Sequence, residues 1–143
     1  MGKKMQNTQP NAIERCADIY VNTYSLCPSD KEGIYYNLSC LIRNKKSICI
    51  IMKNSICDVG FVVGNIYFFE ALTYAKLDEI CVRLDYKRKG YGKKLLEAFE
   101  KEASARGAKS IYLEHYVDDG LDGFYSNCCY IEATDKRMRY KIL

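Results

Sequence analysis

The chain has 143 residues, of which 48% are hydrophobic and 28% are charged. This length and balance predict one globular domain over residues 1–143, with the polar residues 1–10 as a flexible N-terminus. The net charge of +4 and the isoelectric point of about 8.5 are lower than those of a dedicated nucleic-acid binder, which argues against a nucleic-acid partner. The apolar stretches are shorter than the ~18 residues that a membrane helix needs, which argues against a membrane partner.

The first half of the chain predicts two helices followed by strands. Apolar side chains recur at helical spacing over residues 12–24, which indicates an amphipathic helix with Asn11 as its N-cap. A second helix follows the break at Pro28 and is expected to end near Asn44. Three apolar runs then predict strands, with a connection at 70–75 before the last of them. These strands cover residues 47–52, 57–69 and 76–84.

The second half opens with the most strongly periodic helix, over residues 91–106. Leu95, Leu96 and Phe99 share one face of this helix, and Gly107 follows at the position where glycine ends helices. The remaining predicted elements are a strand at 110–116, an acidic loop at 118–122, a short helix at 121–129 and a final strand or strand pair at 133–143. The order α-α-β-β-β-α-β-α-β predicts an α/β (α+β) single domain with a mixed sheet.

Eight cysteines are spread along the chain. Several lie within apolar runs, as Cys49 and Cys81 do, where cysteine acts as a small buried apolar residue. No apolar leader segment is found near the N-terminus, and no Cys-x-x-Cys or Cys/His spacing suits zinc. We therefore expect free thiols, a cytoplasmic location and no metal.

A basic segment with two glycines lies between the third predicted strand and the long helix. Its sequence is Lys87-Arg88-Lys89-Gly90-Tyr91-Gly92-Lys93. Glycines let backbone N–H groups turn toward an anion, and the N-terminus of a following helix adds positive potential. The segment is neither a Walker A loop nor a dinucleotide fingerprint, because Gly-x-x-x-x-Gly-Lys is absent and position 95 is Leu. Taken alone, it fits a pyrophosphate-binding loop and a plain glycine turn equally well.

In its context this segment resembles the central motif of the GNAT superfamily of N-acetyltransferases. That motif is Arg/Gln-x-x-Gly-x-Gly/Ala between a strand and a helix, and residues 81–96 match it nearly throughout, with Lys87 at the Arg/Gln position. Residues 123–130 resemble the family's later Phe-Tyr-x-x-x-Gly-Phe motif, with Cys129 at the Gly position. The likeness covers roughly residues 12–143. It implies a mixed, mostly antiparallel sheet with a splayed central strand pair, flanked by helices.

The resemblance implies an acyl-CoA-dependent N-acetyltransferase that uses acetyl-CoA as its co-substrate and needs no metal. In the family, the end of the third strand contacts the pantetheine arm through backbone groups, and the basic loop holds the pyrophosphate. The residues at the matching positions are Cys81, Val82, Arg83, Lys87, Arg88, Lys89, Gly90, Tyr91, Gly92 and Lys93.

Two catalytic residues are implied by the same resemblance. Glu79 lies where many members carry a general base, acting directly or through water, although a strand carboxylate paired with Lys76 is the ordinary alternative. Tyr125 matches the tyrosine that protonates the departing CoA thiolate, although core packing would equally explain it. Asp78 is expected on the opposite face of a regular strand from Glu79. His115, the single histidine, is expected to be structural.

The acceptor amine stays open in the sequence. The acidic segment at 118–122 is either a plain flexible surface loop or, through Asp118, Asp119 or Asp122 together with Glu70, an acidic rim that attracts a cationic amine. Such a rim favours a small cationic amine of the aminoglycoside or polyamine type, and protein N-termini or lysines are the other acceptor class. A non-catalytic acyl-CoA-binding domain and a small nucleic-acid-binding module are the alternatives from other classes. The sequence does not separate a monomer from a homodimer, or an acetyl group from a longer acyl group.

Overall fold

The computed structural model describes residues 11–69 and 71–143, so the predicted flexible N-terminus at 1–10 and Glu70 lie outside the described residues. The chain divides into two compact units, the first ending at Leu113 and the second comprising Glu114–Leu143. Among the described helices, none combines the length and the apolar character that crossing a membrane requires.

Two helices open the first unit, α1 at Ala12–Thr23 and α2 at Lys31–Ile42, and both predicted helices are confirmed. Asn11 occupies the N-cap position of α1 with φ 58°, and its side chain makes no capping hydrogen bond. Capping needs an extended residue at this position, and Asn11 is left-handed instead. The two helices contribute a shared set of core side chains, including Cys16, Ala17, Ile19, Leu38 and Ile42.

Four strands form one sheet in the order β1-β2-β3-β4. They are β1 at Ser47–Lys53, β2 at Asp58–Phe69, β3 at Leu72–Val82 and β4 at Ile111–Tyr112. The first three strands are antiparallel neighbours, and β4 pairs with β3 in parallel. The predicted mixed, mostly antiparallel sheet is confirmed.

The connection between β2 and β3 is a tight hairpin. The predicted connection at 70–75 is wrong from Leu72 onward, because those residues already pair with β2, Phe69 facing Leu72 and Tyr67 facing Tyr74. The two tyrosine rings stack with centroids 5.5 Å apart, a cross-strand contact that stabilises the hairpin. Ala71 adopts φ 67° in the turn.

The long helix α3 at Tyr91–Ala105 lies on the face of the sheet opposite to α1 and α2. A Cβ added to Gly64 on β2 would lie 2.6 Å from the Phe99 ring of α3, whereas the neighbouring Val63 joins the core formed with α1 and α2. Alternate residues of β2 therefore face opposite helical layers. The helix ends as predicted, since Gly107 has φ 91° and its N–H donates to the carbonyl of Ser104 at 3.0 Å.

Strand β4 is shorter than predicted. Of the predicted strand at 110–116, Ile111 and Tyr112 have strand structure, paired with Ala75 and Lys76 of β3. The residues after Tyr112 carry no strand structure because the parallel ladder ends there.

The second unit contains the helix α4 at Asp119–Asn127. It begins two residues before the predicted short helix, because the Oδ1 of Asp118 accepts a hydrogen bond from the N–H of Leu121 at 2.9 Å and caps the helix. The predicted acidic loop at 118–122 is wrong, since most of it is the first turn of α4. The predicted final strand at 133–143 is also wrong: these exposed residues have no strand structure, and alternating side chains do not hold a strand without a hydrogen-bonding neighbour.

Candidate active site

The basic loop forms the predicted link between a strand and a helix. After β3, a 3₁₀ turn at Leu84–Tyr86 leads into residues 87–90, and α3 starts at Tyr91. Gly90 is the N-cap of α3 with φ 84°, a left-handed conformation that favours glycine. No side chain caps the helix at Gly90. The first N–H groups of α3 are therefore directed toward the loop, where an anion can accept from them.

Positive charge surrounds this helix start. The first turn of α3 contains no acidic residue, and the Nζ of Lys94 lies 5.7 Å from the centre of the Tyr91 ring. The Nζ of Lys89 lies 5.4 Å from the centre of the Tyr86 ring, which packs edge-on against Tyr91. The exposed cations of the segment are Lys87, Arg88, Lys89, Lys93 and Lys94. Helix N–H groups and exposed cations together suit a pyrophosphate.

Strands β3 and β4, the central strand pair, separate midway along β3. The ladder with β4 comprises the pairs Ala75–Ile111 and Lys76–Tyr112, and β3 continues beyond it to Val82. The predicted splayed strand pair is present in this form. An extended ligand with amide groups, such as a pantetheine arm, can lie along a strand whose neighbour has departed.

The end of β3 is anchored to α1 and β2. The hydroxyl of Thr23 at the end of α1 lies within hydrogen-bond distance of two carbonyl oxygens, that of Ile19 at 2.7 Å and that of Val82 at 3.1 Å. Arg83 donates from its Nε to the carbonyl of Asp58 at 2.6 Å. Cys81 is buried, and this burial is the main cause that raises the pKa of its thiol. The side chains of Cys81 and Arg83 thus hold the end of β3 in the fold.

A β-bulge at Asp78 changes which residues of β3 face α1 and α2. Val63 of β2 pairs with Glu79 and Gly64 pairs with Leu77, so Asp78 is an extra residue between two paired ones. Directly paired residues project to the same face. Leu77 therefore follows Gly64 toward α3, and Glu79 follows Val63 toward α1 and α2. In a regular strand, residues 77 and 79 would share a face.

Asp78 lies on the same face as Glu79. Its Oδ2 accepts a hydrogen bond from the Nδ2 of Asn65 at 3.2 Å, and Asn65 shares the face of Val63 because the two are two residues apart on β2. The expectation that Asp78 and Glu79 face opposite ways fails here because the strand is not regular at this point.

Glu79 borders a cavity of about 60 Å³ between the sheet and the two N-terminal helices. The other lining residues are Tyr20 from α1 and Ile34, Asn37, Leu38 and Leu41 from α2. Burial raises the pKa of Glu79, and the negative charge of Asp78 raises it further. A carboxylate with a raised pKa binds a proton more strongly, which suits a general base.

Tyr20 of α1 and Tyr24, the C-cap residue of that helix, complete the surroundings of Glu79, and neither was singled out from the sequence. The rings of Tyr20 and Tyr24 lie 4.7 Å apart, and the hydroxyl of Tyr24 lies near the thiol of Cys81. Burial is the main cause that raises the pKa of Tyr24, followed by the charges of Cys81 and Glu79. In the sequence these tyrosines look like any apolar residues at helical spacing, so only their contacts single them out.

In the second unit, Tyr125 is buried in an aromatic cluster on α4. Its ring stacks on His115 with centroids 5.1 Å apart and meets Phe124 and Tyr130 edge-on at 5.0 and 5.8 Å. The Nε2 of His115 lies 3.5 Å from the Oδ1 of Asp122. His115 thus packs against Tyr125, and its structural role stays a prediction. Of the predicted acidic rim, Asp118 caps α4 and Glu70 lies outside the described residues.

The family comparison matches most of the chain. The model described as "Acetyltransferase (GNAT) family" matches residues 13–128. No curated protein sequence is significantly similar to the chain.

Solved acetyltransferases share the fold at low sequence identity. A structure described as a probable acetyltransferase has a TM-score of 0.76 and 18% identity, with 94% of this chain and 93% of that chain covered. An aminoglycoside acetyltransferase from an uncultured soil metagenomic sample, in complex with sisomicin, has a TM-score of 0.73 and 14% identity over 97% and 93% of the two chains. The enzyme AAC(6')-Iy, in complex with the bisubstrate analogue CoA-S-monomethyl-acetylneamine, has a TM-score of 0.71 and 13% identity over 94% and 93%.

Proposed function

Because the chain belongs to the GNAT acetyltransferase family, we propose that it is an N-acetyltransferase that moves the acetyl group of acetyl-CoA directly to a primary amine. The observation that carries the proposal is the unit formed by β3, the basic loop and α3, in which Gly90 brings the loop to the uncapped N-terminus of a helix. This geometry suits the pyrophosphate of CoA, and the family supplies the reaction type.

The acyl donor would be held by backbone groups and by cations. Helix N–H groups after Gly90 would bind the pyrophosphate, and the surrounding cations would strengthen that contact. The backbone at the end of β3 would hydrogen-bond the pantetheine arm. The residues proposed for these contacts are Cys81, Val82, Arg83, Lys87, Arg88, Lys89, Gly90, Tyr91, Gly92 and Lys93. Acetyl-CoA supplies the thioester; the chain supplies position and proton transfer.

Two side chains are proposed to move the protons. Glu79 takes a proton from the amine, directly or through a water, as the nitrogen forms a bond to the thioester carbon. Tyr125 gives its hydroxyl proton to the thiolate as the carbon–sulfur bond breaks. A backbone N–H near Val82 stabilises the negative oxygen of the intermediate. Exchange with solvent then removes the proton from Glu79 and restores the one on Tyr125.

The acceptor is proposed to be a small cationic amine of the aminoglycoside or polyamine type. The adjacent carboxylates of Asp78 and Glu79 support a cationic acceptor, and the predicted rim of Glu70 and Asp118 would add to it. Structural relatives that bind sisomicin or an acetylneamine analogue have the same fold. The cytoplasmic location and the choice between monomer and homodimer stay predictions.

Calorimetric titration with acetyl-CoA tests the donor site. We expect saturable binding that weakens as salt is added, because the loop cations contribute. Absence of binding at high micromolar acetyl-CoA would refute the donor assignment.

Thiol release from acetyl-CoA across a panel of amines tests the reaction. The panel contains aminoglycosides, polyamines, peptides with free N-termini and lysine peptides. We expect release with small cationic amines. Release with peptides alone would favour a protein acetyltransferase, and binding of acetyl-CoA without release would favour a non-catalytic acyl-CoA-binding domain.

A further inference from the structure

Two thiols that the proposed function does not use lie side by side between α1 and β1. The Sγ atoms of Cys16 and Cys49 are 3.9 Å apart, although the two residues are separated by 33 positions in the sequence. We propose that this pair is a modification site for hydroperoxides, at which Cys49 is oxidised first and Cys16 then completes a reversible disulfide that ties α1 to β1.

The two sulfur atoms are close enough for a bond to form by local movement. A disulfide has an S–S length of about 2.05 Å, so the atoms must approach each other by roughly 2 Å. Rotation of the two side chains about their Cα–Cβ bonds, with a small shift of α1, supplies such a movement. The pair is reduced in the structure, as are the other cysteines of the described residues.

Cys49 is the thiol of the pair that an oxidant can reach. Its side chain is partly exposed, whereas Cys16 is 0% exposed. The hydrogen bond with Cys16 lowers the pKa of the Cys49 thiol, burial opposes this effect, and the charge of Arg15, itself ion-paired with Asp58, adds to it. The thiolate is the form that attacks a peroxide, and oxidation favours thiols that combine thiolate character with exposure.

Cys16 is suited to the second step and not to the first. Its hydrogen bond with Cys49 and its burial raise the pKa of its thiol, so it stays protonated and out of contact with peroxide in solution. It nevertheless lies next to the sulfur that reacts first. A resolving cysteine beside a more accessible one is the arrangement of redox-sensing thiols.

The two steps balance with one hydroperoxide for each pair. In the first step, the sulfur of Cys49 attacks the terminal peroxide oxygen, the O–O bond breaks, and the leaving oxygen takes the thiol proton. This step gives a sulfenic acid and an alcohol, or water from hydrogen peroxide. In the second step, the sulfur of Cys16 attacks the sulfenic sulfur, the S–O bond breaks, and the hydroxide leaves with the Cys16 proton as water. The two thiols lose two electrons, and the peroxide receives them.

The disulfide would join α1 to the row of strand residues that includes Glu79. Cys49 pairs with Val63 of β2, and Val63 pairs with Glu79 of β3, so the three side chains share the face covered by α1 and α2. Tyr20, which lines the cavity beside Glu79, follows Cys16 by about one turn of α1. Movement of Cys16 toward β1 therefore draws in the helix that forms one wall of this cavity.

The first test uses the wild-type chain, reduced and then freed of reductant. Hydrogen peroxide is added, the remaining thiols are blocked with N-ethylmaleimide, and non-reducing peptide mapping by mass spectrometry locates the bonds. We expect the peptide of Cys16 to be joined to that of Cys49, and dithiothreitol to restore both thiols. A pair that is still reduced after the exposed Cys27, Cys40 and Cys129 have been oxidised would overturn the inference.

Single substitutions test the order of the two steps. In Cys16→Ala we expect a sulfenic acid on Cys49 that dimedone traps, because the resolving thiol is gone. In Cys49→Ala we expect Cys16 to stay reduced, because it is buried. Cys40→Ala, at an exposed position of α2, is the matched control and should form the disulfide as the wild type does.

Dimedone labelling of Cys16 in Cys49→Ala that is as fast as labelling of Cys49 in Cys16→Ala would overturn the proposed order. Circular dichroism establishes that each variant is folded, and the mapping of the wild-type chain decides the main point without any variant. None of these measurements needs an acyl donor or an acceptor amine, so their outcome is independent of whether the chain transfers acetyl groups.

Discussion

At the scale of single residues, Glu79 shows how an environment sets the chemistry of a side chain. The motif offset predicted its position, but the sequence could not show its neighbours. Burial raises the pKa of Glu79, and the charge of Asp78 raises it further. Both the burial of Glu79 and its closeness to Asp78 depend on the pairing register of β2 and β3. The alternation of apolar and polar residues within β3 does not reveal that register.

Replacing Glu79 by Gln tests its role as a base. We expect kcat/KM to fall by about 100-fold, since general base catalysis contributes roughly 10²–10⁴-fold. In the wild-type chain, kcat/KM should rise with pH through the raised pKa of Glu79, because the base must be deprotonated. A pH–rate profile for both proteins checks this, and an unchanged acidic limb in Glu79→Gln would contradict it.

The same substitution is expected to alter stability in the opposite direction. A carboxyl group whose pKa is raised in the folded state stabilises the fold fully below its unfolded pKa, and this contribution is lost as pH rises through the folded pKa. At neutral pH, Glu79→Gln should therefore be at least as stable as the wild type, with the difference vanishing at acidic pH. Denaturant unfolding at several pH values measures this.

Tyr125 was predicted from its motif, and the structure adds that it is buried in an aromatic cluster. Tyr125→Phe keeps the ring and removes the proton donor. We expect turnover to fall by at least about 10-fold, with the affinity for acetyl-CoA nearly unchanged. Tyr140→Phe, at a site 88% exposed, is the control. Unaltered turnover in Tyr125→Phe would mean that another group protonates the thiolate.

At the scale of elements, the helices were predictable and the strand ends were not. Periodic apolar residues and Gly107 sufficed for α3, because helix hydrogen bonds are local. The lengths of β3 and β4 depend on partner strands elsewhere in the chain. The start of α4 had a usable sequence signal in Asp118, an N-cap residue, but the acidic cluster was interpreted as a loop.

The contact between β2 and α3 gives a matched pair of glycine substitutions. A Cβ on Gly64 would meet the Lys76 carbonyl and the Phe99 ring, so Gly64→Ala should lower the free energy of unfolding by about 1–3 kcal/mol, as overpacking does. Gly33 in α2 has no atom within 4 Å of its added Cβ. Gly33→Ala should therefore stabilise the chain by about 0.5–1 kcal/mol. Thermal unfolding of the two variants checks the contrast, and equal effects would contradict the proposed packing.

At the scale of the whole molecule, the order and type of most elements followed from the sequence, and the final segment did not. The alternation of Met138, Tyr140 and Ile142 with basic residues predicted a strand, yet residues 131–143 are exposed and irregular. Alternating apolar and basic residues are compatible with a strand that has one buried face. A strand also needs a neighbouring strand with which to form hydrogen bonds.

An ion pair between distant parts of the sequence makes the stability of the first unit depend on pH. Arg15 of α1 binds Asp58 of β2 with two hydrogen bonds, at 2.6 and 2.7 Å, and this contact lowers the pKa of Asp58. The stabilisation is present above the unfolded pKa of Asp58 and is lost as pH falls through the folded value. Asp58→Asn should cost about 1–2 kcal/mol at pH 7 and progressively less below about pH 4. Unfolding curves against pH measure this, with the exposed Asp135→Asn as a control that should show no such trend.

The hydroxyl of Thr23 has a consequence for how the two substrates would meet. It lies between the last turn of α1 and the carbonyl of Val82. Helix α1, which carries Tyr20 and is followed by Tyr24, is thereby linked to the strand end proposed to hold the thioester. In the proposed complex, the amine beside α1 and the thioester beside β3 would therefore be held by two elements that the folded core already links before either substrate binds.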